Sequence, residues 1–415
     1  MTAKTHVEAL VTKQKFSKLI FDPKQDCSMP ALAPIEAYAD ELTAIRHDLH
    51  AHPEVGFEEV RTSGIVAEKL QGWGIETHRG IGKTGVVGIL RGTGGDGRRI
   101  GLRADMDALP MDEMTNLPYR STIPGRFHGC GHDGHTTMLL GAARYLAEHR
   151  NFTGTAVFIF QPAEEGLGGA RAMLADKLFD RFPCDEIYAL HNSPFTDAGQ
   201  VRVFPGKAMA GADFFDIRIR GSGSHAAMPQ VGRDPIVVAA ALVQALQSIV
   251  SRNTDPTEAA VVTVTQLHAG SAYNVIPEEA VLCGTMRTFS EEIAEVIRHR
   301  MRTIVAGIAA AFEVEIDLDL RNTFSVLENS VAEAAAMADA CREIVGGDNV
   351  LTDTKLLMGS EDFADMLHAV PGCYCWVGQA GNVPLHNPGF ILDDGILPIG
   401  ASILARIAEK RFQAG

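Results

Sequence analysis

The chain is poor in the features that would mark a secreted, membrane-embedded or nucleic-acid-binding protein. Its seven cysteines (Cys27, Cys130, Cys184, Cys283, Cys341, Cys373 and Cys375) are odd in number and scattered over 415 residues. That pattern excludes a disulfide framework and points to a reducing, cytoplasmic setting. The pair Cys373 and Cys375 reads as buried structural thiols, the usual place of free cysteine. No apolar run approaches the length of a membrane span. The first 30 residues carry Lys4, Lys13, Lys15, Lys18 and Lys24 but no continuous apolar stretch, so they do not read as a signal peptide; Met29 could be an alternative start, and the segment before it a loose extension. Positive charge is also short. Lys and Arg number 37 against 52 Asp and Glu, a net charge of −15, which disfavours nucleic acid and anionic membranes as partners.

What remains is an ordinary globular composition, with 46% apolar and 21% charged residues. A chain this long exceeds one core, so two domains are expected. Helical spacing of Ile35, Tyr38, Leu42, Ile45 and Leu49 predicts a helix over 31–51 that ends at His52-Pro53. Val86–Leu90, Ile100–Leu102, Ala156–Phe160 and Ile187–Leu190 read as strands. The third is an uninterrupted apolar run, typical of a strand covered on both faces. A helix is predicted over 133–148. Alternation of strands and helices argues for an α/β sheet. The middle of the chain differs. Strands at 214–219, 260–267, 280–287 and 314–320, with helices at 235–250 and 291–312, give the order β-α-β-β-α-β of a ferredoxin-like unit. The expected division is an N-terminal extension at 1–30, a first domain at 31–210 and 325–415, and an inserted domain at 211–324. Helices near 331–344 and 396–412 belong to the returning segment.

Against this background one octapeptide stands out: His128-Gly129-Cys130-Gly131-His132-Asp133-Gly134-His135. So many metal-ligand types in eight residues are hard to explain by packing. Further candidates follow predicted strands: Asp105 and Asp107 after 100–104, Glu164 and Glu165 after 156–160, and His191 after 187–190. Sites in open α/β sheets form at the carboxyl ends of strands, so these clusters can converge. Mixed Cys, His and Glu donors suit Zn²⁺, Mn²⁺, Co²⁺ or Ni²⁺ better than Ca²⁺ or Mg²⁺. Adjacent glutamates allow one to bind metal while the other takes a proton from water.

Six segments carry a resemblance. They are Arg46-His47-Asp48-Leu49-His50-Ala51-His52-Pro53-Glu54, Gly101–Pro110, the octapeptide, Gln161-Pro162-Ala163-Glu164-Glu165-Gly166, Leu190-His191-Asn192 and Leu385-His386-Asn387-Pro388. In this order they resemble the M20 metallopeptidase family, above all its amidohydrolase branch of hippurate hydrolases, indole-3-acetyl-amino-acid hydrolases and N-acyl-amino-acid deacetylases. The likeness spans about residues 31–412. It implies a zinc-peptidase-like catalytic domain, with a mixed β-sheet flanked by helices, and an inserted ferredoxin-like lid through which the protein forms a homodimer. It also implies two divalent metal ions per subunit, Mn²⁺ or Zn²⁺ first and Ni²⁺ or Co²⁺ next. Their ligands would be Cys130, His132, Glu165, His191 and His386, with Glu164 as general base. His225, in Gly221-Ser222-Gly223-Ser224-His225, would steady an oxyanion, and Asn274 and Arg287 would meet the carboxylate of a small N-acyl amino acid.

Plainer roles suit the neighbouring residues. His47, His50 and His52 are expected to hydrogen-bond or pack around the first helix. His135 is expected to do so at the start of the next. Asp105, Asp107 and Asp133 are expected to orient ligands rather than bind metal. Glu361-Asp362 falls near a predicted helix start, where acids are favoured anyway. The expected reaction is hydrolysis of a linear amide, with a dipeptidase or deaminase using the same site as the alternative. A thiol hydrolase with Cys130 as nucleophile leaves Glu165, His191 and His386 unexplained. A non-catalytic metal-binding protein leaves Glu164 unexplained.

Overall fold

A computed structural model describes residues 31–353 and 355–413; the readings made for residues 1–30 lie outside them. The larger sheet has eight strands in the spatial order Glu76–Ile81, Gly85–Arg91, Thr155–Gln161, Arg99–Asp105, Glu186–Ser193, Gly372–Gly378, Val201–Val203, Val350–Leu351. Its centre is parallel: Thr155–Gln161, Arg99–Asp105, Glu186–Ser193 and Gly372–Gly378 run the same way. Gly85–Arg91 runs antiparallel to it, and the edge strand Glu76–Ile81 is antiparallel to Gly85–Arg91 in turn. The central strands are buried almost throughout because both faces are covered, which is why they read as unbroken apolar runs. Helices Ala39–Ala51, Val60–Gly72, His132–Glu148, Val331–Val345 and Leu397–Gln413 contribute to the core on one face. Shorter helices at Gly169–Ala175, Leu178–Arg181 and Phe363–Ala369 cover the other. Gly400 lets the last long helix close on His132–Glu148: a Cβ there would stand 2.2 Å from the Met138 sulfur.

The predicted first helix is two. Ala33–Glu36 and Ala39–Ala51 are separated at Tyr38, whose ring lies under the Arg144 guanidinium at 4.2 Å. The helix Val60–Gly72 and the strands Glu76–Ile81 and Gly372–Gly378 are additions to the sequence reading. Cys373 and Cys375 are buried on the last of these.

A second, fully antiparallel sheet of four strands has the order Ala260–Ala269, Glu279–Thr288, Gly211–Arg220, Glu315–Phe324. Two helices, Pro235–Asn253 and Glu291–Phe312, pack on one of its faces, and chain order is β-α-β-β-α-β. Both helices begin with designed-looking stops to fraying: the Asp234 carboxylate accepts from Ile236 N–H ahead of Pro235, and Ser290 Oγ accepts from Ile293 N–H. One sequence reading needs correction. Pro235–Asn253 is long and apolar enough to cross a membrane by length and composition. Its stripe of Val238, Leu242, Leu246 and Ile249 is instead buried against the second sheet, the pattern of a core helix.

Candidate active site and metal centre

The parallel strands deliver the site. Asp105 ends its strand, and Asp107 follows two residues later. Glu164 and Glu165 follow Thr155–Gln161 through a turn in which Ala163 takes φ +53°. His191 sits near the end of Glu186–Ser193. Cys130 precedes the helix that begins at His132, and Gly131 between them has φ +96°. A Cβ on Gly131 would come within 2.5 Å of Asn192 Oδ1, so both backbone conformation and close approach require glycine. His386 arrives from a separate loop, its own backbone at φ +62°.

Two groups of ligand atoms result, each within 4.8 Å internally: Cys130, His132 and His191 in one, Cys130, Glu165 and His386 in the other. Cys130 belongs to both. Its Sγ is 3.4 Å from His191 Nε2, and His386 Nε2 is 3.2 Å from Glu165 Oε1. The imidazoles are turned for ligation. His191 Nδ1 donates to the Asn192 carbonyl at 2.7 Å, and His132 Nδ1 to Asp107 Oδ1 at 3.2 Å, which leaves both Nε2 lone pairs facing the cluster. His132 Nε2 and Glu165 Oε1 are buried without a hydrogen-bond partner, a costly arrangement for polar atoms in protein alone. Cations between them would satisfy both, and a thiolate, imidazole and carboxylate set is what Zn²⁺ or Mn²⁺ accepts. The residues therefore fit a two-metal centre.

Asp107 organises the rest. Besides holding His132, it accepts the Glu164 N–H on one oxygen and the Glu165 N–H on the other, each at 3.0 Å. Asp105 accepts from His135 Nδ1 at 2.6 Å and from Arg103 at 2.7 Å. His135 in turn accepts the Asn192 N–H at 3.1 Å, so it braces the strand that carries His191. Glu361 and Asp362 bear more on the site than their helix-start position indicated. Both are buried, both pair with the buried Arg103, and their carboxylates lie within 4.8 Å of Glu164. Burial, then Glu361, Glu165 and Asp362, pushes the Glu164 carboxyl well above the ordinary range. Pairing of residues more than 200 apart in sequence, such as Arg103 with Glu361, leaves no local sequence signal.

Other predicted residues stand elsewhere. Asp133, grouped with Asp105 and Asp107 from sequence, instead accepts from His50 Nδ1 at 2.7 Å and faces Arg46. Burial works against a charge on His50, but Asp133 outweighs it and lifts the imidazole to about 9. His47 pairs with Asp394 at 2.8 Å and His52 donates to the Asp48 carbonyl at 2.8 Å. Arg287 lines the cavity above the metal ligands, where it donates to the Met358 carbonyl at 3.0 Å and Ser360 Oγ at 2.8 Å. His225 and Asn274 are exposed and share a separate recess of about 540 Å³ in the second sheet's domain. The cavity at the donor cluster, about 710 Å³, is floored by Cys130, Glu164, His191 and His386 and walled by Phe195, Phe214, Phe324, Leu357, Met358 and Trp376.

Comparison with known proteins is decisive about ancestry. Residues 101–410 match the model of Peptidase family M20/M25/M40. The chain belongs to this family. Among relatives, a hippurate hydrolase of Campylobacter jejuni is 41% identical over 370 residues, covering 89% of this chain and 96% of that protein. An N-acetylcysteine deacetylase of Bacillus subtilis is 37% identical over 379 residues, covering 90% and 97%. Among solved structures, a Bacillus subtilis dinuclear metal binding peptidase of the M20 family superposes with a TM-score of 0.79 at 33% identity, covering 92% of this chain and 99% of that one. The α/β architecture, with its large mixed sheet flanked by helices, is the M20 fold.

Proposed function

We propose that this M20 protein is a metal-dependent amidohydrolase that cleaves N-acyl or N-aroyl amino acids to a carboxylic acid and a free amino acid. The observation that carries this reading is the pair of donor groups sharing Cys130, one buried and one opening to solvent at His386, set beside Glu164 on the floor of a largely apolar cavity. Cys130, His132, Glu165, His191 and His386 would hold two divalent cations, Mn²⁺ or Zn²⁺ before Ni²⁺ or Co²⁺. When bound, such ions lower the pKa of water from about 15.7 toward 7 and polarise a carbonyl. Glu164 receives the proton of the attacking water and hands it to the departing amine nitrogen. Asp107, gripping both glutamate N–H groups and His132, keeps base and ligands in register. The apolar wall receives the acyl group, and Arg287 meets the free α-carboxylate. The hippurate hydrolase and deacetylase relatives support this reaction over a dipeptidase or deaminase.

Residues 211–324 would serve as the lid. We infer that His225 and Asn274, exposed and apart from the cavity, act from a second copy of the chain, His225 on the oxyanion. A homodimer is supported by the edge strand Ala260–Ala269 and the exposed Met228, Val231, Val237, Leu267 and Tyr273 around it. A reducing, cytoplasmic compartment is supported by the six free cysteines of the described residues.

The test is release of amino acid from a panel of N-acyl amino acids by Mn²⁺- or Zn²⁺-loaded protein, beside Glu164→Gln and a chelated sample. Turnover should fall about 10²–10⁴-fold in Glu164→Gln at unchanged metal content, and chelation should abolish it. Activity that survives chelation would return Cys130 to consideration as a nucleophile; turnover that survives in Glu164→Gln would remove that residue from the base role.

A further inference from the structure

The metal cavity contains a second arginine that the reaction above does not use. Arg202 lies on the short strand Val201–Val203 and lines the same cavity as Glu164 and His191. Among the described residues its guanidinium makes no ion pair and no hydrogen bond, and its Nε is buried with no partner. Nearby arginines behave otherwise. Arg103 is surrounded by Asp105, Glu361 and Asp362, and Arg287 is tethered to Met358 and Ser360. A half-buried cation against mostly apolar walls, with a polar atom unanswered, is unfavourable without a ligand.

The register of the sheet fixes where such a ligand would lie. His191 is paired with Trp376, and Trp376 with Arg202. Directly paired residues project from the same face, so these three form a row across neighbouring strands. Two strand spacings separate the backbones of His191 and Arg202, about 9.5 Å, with the Trp376 indole between them. A molecule whose amide sits at His191 would cross Trp376 and present its far end to Arg202. Arg287 is already assigned to the α-carboxylate of an N-acyl amino acid, so Arg202 faces a different group.

We propose that Arg202 forms an anion subsite that selects substrates carrying a second carboxylate, an assignment that rests on the amidohydrolase reading above. The guanidinium fork suits a carboxylate bidentately, and the apolar walls strengthen the pair by excluding water. The second carboxylate can be carried on the acyl group or on the amino-acid side chain, and two substrate pairs separate these sources. N-succinylglycine is compared with N-butyrylglycine, and N-benzoylglutamate with N-benzoylglutamine, in wild type, Arg202→Met and Arg202→Lys.

The expected result is a higher kcat/KM for the carboxylate-bearing member of one pair, with the pair identifying the source. Arg202→Met should lower that preference about 10- to 100-fold, expressed mainly in KM, and Arg202→Lys should restore part of it. Equal treatment of both members by wild type would overturn the subsite, as would an equal loss for both members in Arg202→Met. If wild type cleaves none of these amides, calorimetric binding of N-succinylglycine and N-benzoylglutamate decides. Binding that needs Arg202 would uphold the subsite and reject the amidohydrolase reading; no binding would reject both.

Discussion

Glu59 illustrates how a single buried side chain governs the turn that carries Glu164. It is fully buried, its Oε1 accepts the Ala163 N–H at 2.8 Å, and its Oε2 accepts from Thr84 at 2.5 Å. Ala163 immediately precedes Glu164 and holds a left-handed conformation, so this hydrogen bond fixes where the proposed base points. Burial raises Glu59 from 4.5 to about 7. A carboxyl raised in the folded state stabilises the fold below its unfolded pKa, and that contribution is lost as pH rises through the folded pKa. Stability should therefore decline between about pH 4.5 and 7 on account of this group. Glu59→Gln keeps the acceptor and removes the titration. In urea denaturation at pH 8 it should be more stable than wild type by on the order of 3 kcal/mol, with most of the difference gone near pH 4.5. A constant difference at both pH values would show that Glu59 titrates normally.

Among elements, the C-terminal helix Leu397–Gln413 is tied to the central sheet by a buried ion cluster. Glu186, at the start of its strand, is 1% exposed and receives Arg411 at 2.6 and 2.5 Å and Arg98 at 2.6 Å. Burial alone would raise this carboxyl, but the Arg411 hydrogen bonds outweigh it and hold it below the usual range. Removing one partner of a buried pair leaves a desolvated charge behind, so Arg411→Met should destabilise the protein by about 3 kcal/mol in chemical denaturation. Because the Glu186 pKa is lowered, the stability it contributes is present at neutral pH and fades as pH falls through the folded value; the Arg411→Met deficit should shrink in acid. A deficit independent of pH would assign the loss to helix packing instead.

At the scale of the whole molecule, the two sheets divide the work. The large sheet carries Glu165 and His191 at or just beyond its strand ends, the start of the helix His132–Glu148 brings Cys130 and His132, and the second sheet supplies Phe214, Arg287 and Phe324 to the cavity roof. The recess with His225 and Asn274 shares no lining residue with that cavity. If a second copy brings these residues to the metal centre, assembly and activity should fall together. Val261→Lys with Leu267→Lys places charges on two exposed apolar positions of the edge strand. Light scattering should show a wild-type dimer converted to monomer, with kcat down at least about 10²-fold from loss of an oxyanion donor. A monomeric wild type with full activity would instead make lid closure within one chain the route for His225.

The sequence alone was enough for the class of the fold and for naming most of the donor residues that the fold gathers. Glu165 and His191 are legible because candidate ligands at strand ends leave a local mark, an apolar run and then an abrupt cluster of donors, and Cys130 and His132 because the octapeptide crowds donor types into eight residues. The helix Glu291–Phe312 was legible to the residue because its amphipathic period and Ser290 cap are also local. Only the tertiary structure decided that Cys130 is common to both ligand groups, that Asp107 rather than Asp133 grips the glutamates, and that Glu361 and Asp362 flank Glu164. It also decided that His191, Trp376 and Arg202 share one row. Such relations join residues tens to hundreds of positions apart, set by strand order, register and burial. Periodicity and spacing report neighbours along the chain, whereas these contacts exist only after the sheet has brought distant strands together.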